Sequence, residues 1–263
     1  MFKNQKDNMR EFPTPERVYA LGRLVANCPY TRTDLYNGLC MSDVYGEGNQ
    51  DIFGYTLTVA QELELIKSQD TQFSLSCDRS VLKDYPSFRK HAARIAFSRP
   101  NGTFFQTTSL YLELAEEVLK APRWADVVTL FNERGGLNLK DNDMLGWRFW
   151  TSFLGIGYLH TDMLIPNVYT RVKDALETQV DFKTGESVPL SRFMGWLEMQ
   201  CPEIKNSRNE FRLGLGVSNG LRMLKEQGFV DLISQPDAEK WQLNYLEAET
   251  INDVSHVRIV SVR

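Results

Sequence analysis

Arg212–Ile233 reads RLGLGVSNGLRMLKEQGFVDLI. Its glycines at 214, 216 and 220 have the look of a phosphate-binding loop, and whether they form one decides the fold. A phosphate-binding glycine loop needs a buried strand before it and a helix opening at its last glycine, so that free backbone amides meet the anion. Here the preceding KNSRNEFR (Lys205–Arg212) does not read as a buried strand. The spacing is GxGxxxG, and no GK[ST] follows. A nucleotide site is therefore not expected. Val217, Leu221 and Leu224 instead recur at i, i+4 and i+7, the apolar stripe of an amphipathic helix. Gly228 lies just beyond its last turn, where a left-handed residue is needed.

The neighbouring segments give this helix a context. Downstream, FVDLI reads as a short strand, QPDAE as a turn, and WQLNYL alternates Trp241, Leu243 and Tyr245 on one face. HVRIV alternates again with Val257 and Ile259. Upstream, PLSRFMGWLEMQCP (Pro189–Pro202) is an amphipathic helix with Leu190, Phe193 and Leu197 on one side, and Pro202 stops it. The order is helix, short polar helix or turn, glycine-containing turn, helix, hairpin. In that order the glycines serve a sharp bend and a close backbone approach.

The same order recurs near the start. PTPERVYALGRLVANCP places Val18, Leu21 and Val25 on one face. YTRTDLYNGLC is a second short helix, with Thr31 or Thr33 as N-cap. MSDVYGEGNQDIFG (Met41–Gly54) reads as a polar loop. TLTVAQELELIKSQ (Thr56–Gln69) reads as a third helix through Val59, Leu63 and Ile66, and FSLSC as a strand. Between the two ends, SLYLELAEEVLK, WADVVTLFNERGG and DNDMLGWRFWTSFLG are helical. GYLHTDMLIPN is one strand or a tight hairpin. The middle is either a degenerate third copy, the preferred reading, or a helical bridge.

The expected fold is thus mainly α with small antiparallel β-hairpins: an N-terminal module over 1–80, a helical middle over 81–180 and a C-terminal module over 181–263. On element order at its two ends, the chain resembles tandem winged-helix proteins. That class includes transcription regulators, replication initiators, accessory subunits of bacterial condensin-like complexes and some bacterial anti-phage defence components. No family-specific motif is matched. The resemblance implies that the third helix of a module can enter a major groove and meet base edges. In the C-terminal module its outward residues are expected to be Ser218, Asn219, Arg222 and Lys225, with Arg208 and Arg212 near phosphates. In the N-terminal module Glu62 and Glu64 oppose Lys67 alone, leaving Tyr55, Thr56 and Thr58 as possible contacts. That helix is expected to pack on a partner instead. SFRKHAARIAFSRP, if helical, turns Arg89, Lys90 and Arg94 outward to hold a duplex backbone.

Composition adds limits. The 263 residues are 42% hydrophobic and 24% charged, with a formal net charge of −4. That counts against a large phosphate-contacting surface but not a local one. The polar start MFKNQKDNMREF has no secretory h-region, and Arg148, His160 and Asp162 interrupt the most apolar stretch. Four scattered cysteines (28, 40, 77, 201) read as reduced, mostly buried thiols, with no zinc spacing. Asp141 and Asp143, with Asp162, form the one carboxylate group suggestive of a metal; helix capping by Asp141 explains it more simply. The aromatic helix with Trp147, Phe149, Trp150 and Phe153 reads as core. The expectation is a cytoplasmic, non-catalytic protein without cofactor or metal. It is expected to bind double-stranded DNA, or else to join a larger complex as a protein-interaction subunit. Membrane contact is not expected, and a homodimer is compatible with the sequence.

Overall fold

The computed structural model describes residues 1–3, 9–39, 49–121, 123–161, 163–245 and 252–261. Most of the polar loop at 41–54, together with Cys40, Asp162 and Val262, lies outside the described residues. The chain divides into two compact units, 1–105 with 137–153, and 106–136 with 154–263. The 81–180 stretch read as a middle region is shared between them. Helix exceeds strand, and the sheets are small and almost wholly antiparallel.

In the first unit, α1 (Pro15–Val25) opens on Thr14, whose Oγ1 accepts from the Arg17 amide, and buries Val18, Leu21 and Val25. After β1 (Tyr30–Thr31), Thr31 caps α2 (Arg32–Gly38). Then come α3 (Asn49–Glu62), β2 (Ile66–Gln69) and β3 (Gln72–Leu75). The sheet order is β1-β3-β2, antiparallel throughout, with Tyr30 opposite Phe73 and Ile66 opposite Leu75. The third helix therefore starts and ends earlier than its periodicity suggests. Glu64 takes a left-handed φ of 57° and turns the chain, so IKSQ becomes a strand. An apolar residue at i+7 fits a helix and the first residue of a buried strand equally well.

Two further helices complete this unit: α4 (Tyr85–Ala96), capped by Asp84, and α8 (Asp141–Phe153). The intervening α5 (Thr103–Glu113) runs across the division between units; α6 (Ala115–Lys120) and α7 (Trp124–Gly135) belong to the second. Trp147 and Trp150 are fully buried. The Trp150 ring meets Phe2, Phe88 and Phe153, and its Nε1 donates to the Pro13 carbonyl at 2.6 Å. Phe149, also read as core, is instead partly exposed. Asp143, not Asp141, is the buried carboxylate, accepting from the Met9 and Lys140 amides at 2.9 and 2.8 Å.

In the second unit, β4 (Gly157–His160) and β5 (Met163–Pro166) make a hairpin. It is followed by α9 (Tyr169–Thr178), β6 (Ser187–Pro189), α10 (Leu190–Gln200), and a small hairpin of β7 (Arg208–Asn209) with β8 (Arg212–Leu213). Next is α11 (Leu215–Glu226), then β9 (Val230–Ile233), β10 (Trp241–Gln242), β11 (Asp253–Val254) and β12 (His256–Ile259). The module thus has a helix, α9, ahead of the one taken from sequence as its first. Strands β6, β12 and β9 form one antiparallel sheet in the order β6-β12-β9; β11, β10, β8 and β7 form another, with one parallel step between β10 and β8. FVDLI therefore pairs with HVRIV, and WQLNYL leaves that sheet altogether.

The opening glycines are explained by proximity. A Cβ at Gly220 would sit 2.8 Å from Val168 Cγ2 and 3.0 Å from the Tyr169 amide, and one at Gly216 2.9 Å from Leu112 Cδ2. Gly220 lets α11 lie directly against the start of α9, and Gly216 lets it lie against Leu112 of α5 and Pro166 of β5. No helix among the described residues is long and apolar enough to cross a membrane.

Candidate nucleic-acid interface

The face of α11 read as base-contacting is closed by the chain itself. Ser218 is fully buried; its Oγ donates to the Leu213 carbonyl at 3.2 Å and accepts from the Asn244 amide at 2.7 Å. Arg222 is only 6% exposed, and its Nη2 donates to the Asn244 carbonyl at 2.7 Å and to Asn252 Oδ1 at 2.9 Å. Asn219 donates to the Pro166 carbonyl at 3.0 Å, and Lys225 is half-buried. The cover is the excursion through β10 and β11, anchored by buried Trp241, Leu243 and Val254. Ser218 and Arg222 are thus internal, contrary to the outward placement expected from a polar helix face. Sequence periodicity marks which face is apolar. It gives no warning that a distant loop will supply polar partners to the other face.

Arg208 and Arg212 lie on the β7–β8 hairpin. The Arg208 guanidinium is held by Glu198 and sits 5.3 Å over the Trp241 ring. Arg212 is exposed and lines a polar groove of about 760 Å³ that also includes Arg134, Glu116, Glu117 and Gln242.

The first unit presents the opposite picture. Along α3 runs an open groove of about 440 Å³ whose lining includes Arg32, Tyr55, Thr58, Gln61, Ser68 and Phe73, with one carboxylate, the exposed Asp51. Arg32 lies over the Phe53 ring at 5.2 Å and Arg10 over Tyr55 at 5.0 Å. The carboxylates expected to repel phosphate here do not act as a pair on this groove. Glu62 is buried and accepts from the Met1 amine at 3.1 Å and the Phe2 amide at 3.0 Å. Glu64 stands beyond the helix end, 3.5 Å from Arg99. Thr58 is exposed, Tyr55 half-buried and Thr56 buried. Arg32 and Gln61 were not singled out from sequence. Arg32 follows the two-residue strand β1 directly, and Gln61 stands three residues after Thr58, on the same face of the helix read from sequence as of α3.

On α4, Arg94 is exposed while Arg89 and Lys90 are half-buried. Arg99, just beyond α4, donates to the Glu62 carbonyl at 3.1 Å. His91 Nε2 lies 2.8 Å from the Leu63 carbonyl, and burial, reinforced by Arg94, holds the imidazole below its ordinary value.

The described cysteines, Cys28, Cys77 and Cys201, are free thiols. Burial pushes the Cys201 thiol up to about 12, which keeps it protonated at neutral pH. Cys77 is half-buried, and Cys28 is exposed, contrary to the expectation of mostly buried thiols. Comparison with family models, curated proteins and solved structures finds no match to this chain in any of the three.

Proposed function

We propose that the chain is a non-catalytic DNA-binding protein built on tandem winged helices, acting within a larger nucleic-acid-handling or defence complex. The supporting order is helix, strand, helix, helix, strand, strand. It runs through α1, β1, α2, α3, β2 and β3, and again through α9, β6, α10, α11, β9 and β12, there with β7 and β8 inserted before α11 and β10 and β11 before β12. In both, the first strand pairs with the last, giving β1-β3-β2 and β6-β12-β9.

The observation that carries the reading is the open polar groove along α3. A third helix of this type is the element that enters a major groove. Arg32, Thr58 and Gln61 offer the donors and acceptors that base edges require. Arg89, Lys90 and Arg94 serve as phosphate contacts.

The test is duplex binding by fluorescence anisotropy across a salt series. Arg32→Ala with Gln61→Ala is expected to cost about 1–3 kcal/mol on a preferred sequence and to relax discrimination there. Replacing Arg89, Lys90 and Arg94 together weakens all sequences alike and flattens the salt slope by about 0.9 per lost phosphate contact. Absence of any salt-dependent duplex affinity in the unaltered chain overturns the reading. A second reading, a protein-interaction subunit, is favoured by one observation, the closure of α11 by its own chain. Under it, the same variants lose a partner protein and not DNA.

A further inference from the structure

We infer that His91 and Arg99 are positioning residues for the groove along α3: they lock the turn that joins its two walls, and so set its sequence preference without touching the nucleic acid. The inference rests on the reading of that groove as a duplex-binding site. One wall is α3, with Thr58 and Gln61; the other is the β2–β3 hairpin, with Ser68 and Phe73. Only Leu63, Glu64 and Leu65 separate α3 from β2, so these three residues set the angle between the walls.

The Glu64 amide donates to the Gln61 carbonyl and the Leu65 amide to the Ala60 carbonyl, both at 3.0 Å. This is the pattern that closes a helix on a left-handed residue, a position glycine usually fills. Here the residue is Glu64, at a φ of 57°. A side chain is disfavoured in that conformation and persists there only when its surroundings hold it. Arg99 supplies the hold: its Nη2 stands 3.5 Å from the Glu64 carboxylate and donates to the Glu62 carbonyl at 3.1 Å. His91 Nε2 donates to the next carbonyl, that of Leu63, at 2.8 Å.

The last carbonyls of a helix lack intrahelical donors, and here two of them are met by side chains from α4 and the residues just beyond it. The same α4 carries Arg89, Lys90 and Arg94, the residues given above to phosphates. One set of ties therefore keeps the base-reading groove and the backbone-holding cations in a fixed register.

The experiment is fluorescence anisotropy of the full chain across a salt series, with circular dichroism melts as the check of folding. The probes are a duplex selected by the unaltered chain from a random pool and the same duplex scrambled. Arg99→Ala and His91→Ala are each expected to lower the preference for the selected duplex about fivefold or more, the low end for one base contact, with the salt slope unchanged. His91→Gln keeps an N–H donor and keeps the preference. Glu64→Gly added to Arg99→Ala restores it, because glycine holds the left-handed turn without a partner. Should Arg99→Ala not fold, the two His91 variants carry the test. Preference unchanged in both alanine variants, while Arg32→Ala with Gln61→Ala loses it, overturns the inference and leaves the reading of the groove standing. A salt slope lowered by about 0.9 in Arg99→Ala makes Arg99 a phosphate contact and also overturns it. A chain that binds duplexes without preference does the same, and absence of salt-dependent duplex affinity overturns both inference and reading.

Discussion

Arg222 looks from sequence like a base-reading side chain and lies in the structure as an internal tie. Two of its hydrogen bonds tie α11 to Asn244, just after β10, and to Asn252, just before β11. Arg222→Ala is therefore expected to lower stability by about 1–3 kcal/mol, because buried acceptors lose their donor. Urea denaturation measures this, and an unchanged midpoint would refute the tie. The glycines give a sharper pair. Gly220→Ala drives a methyl toward Val168 and the Tyr169 backbone and is expected to destabilise by more than about 1 kcal/mol. Gly195→Ala meets nothing in its own unit and is expected to stabilise it by roughly 0.4–1 kcal/mol. His91 adds a dependence on pH. Its folded-state value is depressed, first by burial, so folding favours the neutral ring. That contribution is complete above the unfolded value near pH 6.5 and is lost as pH falls through the folded one. Melting temperature should drop between about pH 7 and 5, and by less in His91→Gln. Equal slopes would remove His91 from the account.

At the scale of elements, much of the fold was legible. Apolar patterning placed α1, α8, α10, α11 and β12, the segment read as helical only conditionally is α4, and of the two caps offered, Thr31 or Thr33, the structure uses Thr31. The failures share a cause. The end of α3 depends on a left-handed Glu64, which no apolar pattern marks. The destination of WQLNYL depends on pairing between Gln242 and Arg212, far apart in sequence. The expected repulsion of phosphate at α3 rested on Glu62 and Glu64 and left out their partners, while Asp51, which does line the groove, was not counted. Glu62 and Glu64 are paired, one with the Met1 amine and the other with Arg99. Local pattern fixes what an element is, whereas these three outcomes turn on a single backbone angle or on long-range partners. The helix that looked cationic, α11, is covered by its own chain, and α3 borders an open groove. Trp241→Ala tests the seal. Loss of its buried ring should loosen β10 and raise amide exchange along α11, while exchange along α3 stays unchanged.

The whole molecule is threaded as two interleaved units. The chain leaves the first after residue 105, returns at 137, and leaves it again after 153. The boundaries at 80 and 180 suggested by element order therefore cut through both cores. A fragment of residues 1–80 lacks α8, and with it Trp150, whose ring covers Phe2. It is expected to show no cooperative melt. A chain joining 1–105 directly to 137–153 restores those groups and should melt cooperatively. If the shorter fragment melts as sharply as the joined one, the interleaving is not needed for folding.

That threading also sets a timetable. The amino-terminal unit cannot close until residue 153 has left the ribosome, and 106–136 must be made first. At ordinary rates of synthesis the interval is roughly 2 to 10 s. Throughout it, Tyr85 and Phe88 of α4 wait without Trp150 and Phe153 of α8, within reach of chaperones and of neighbouring nascent chains.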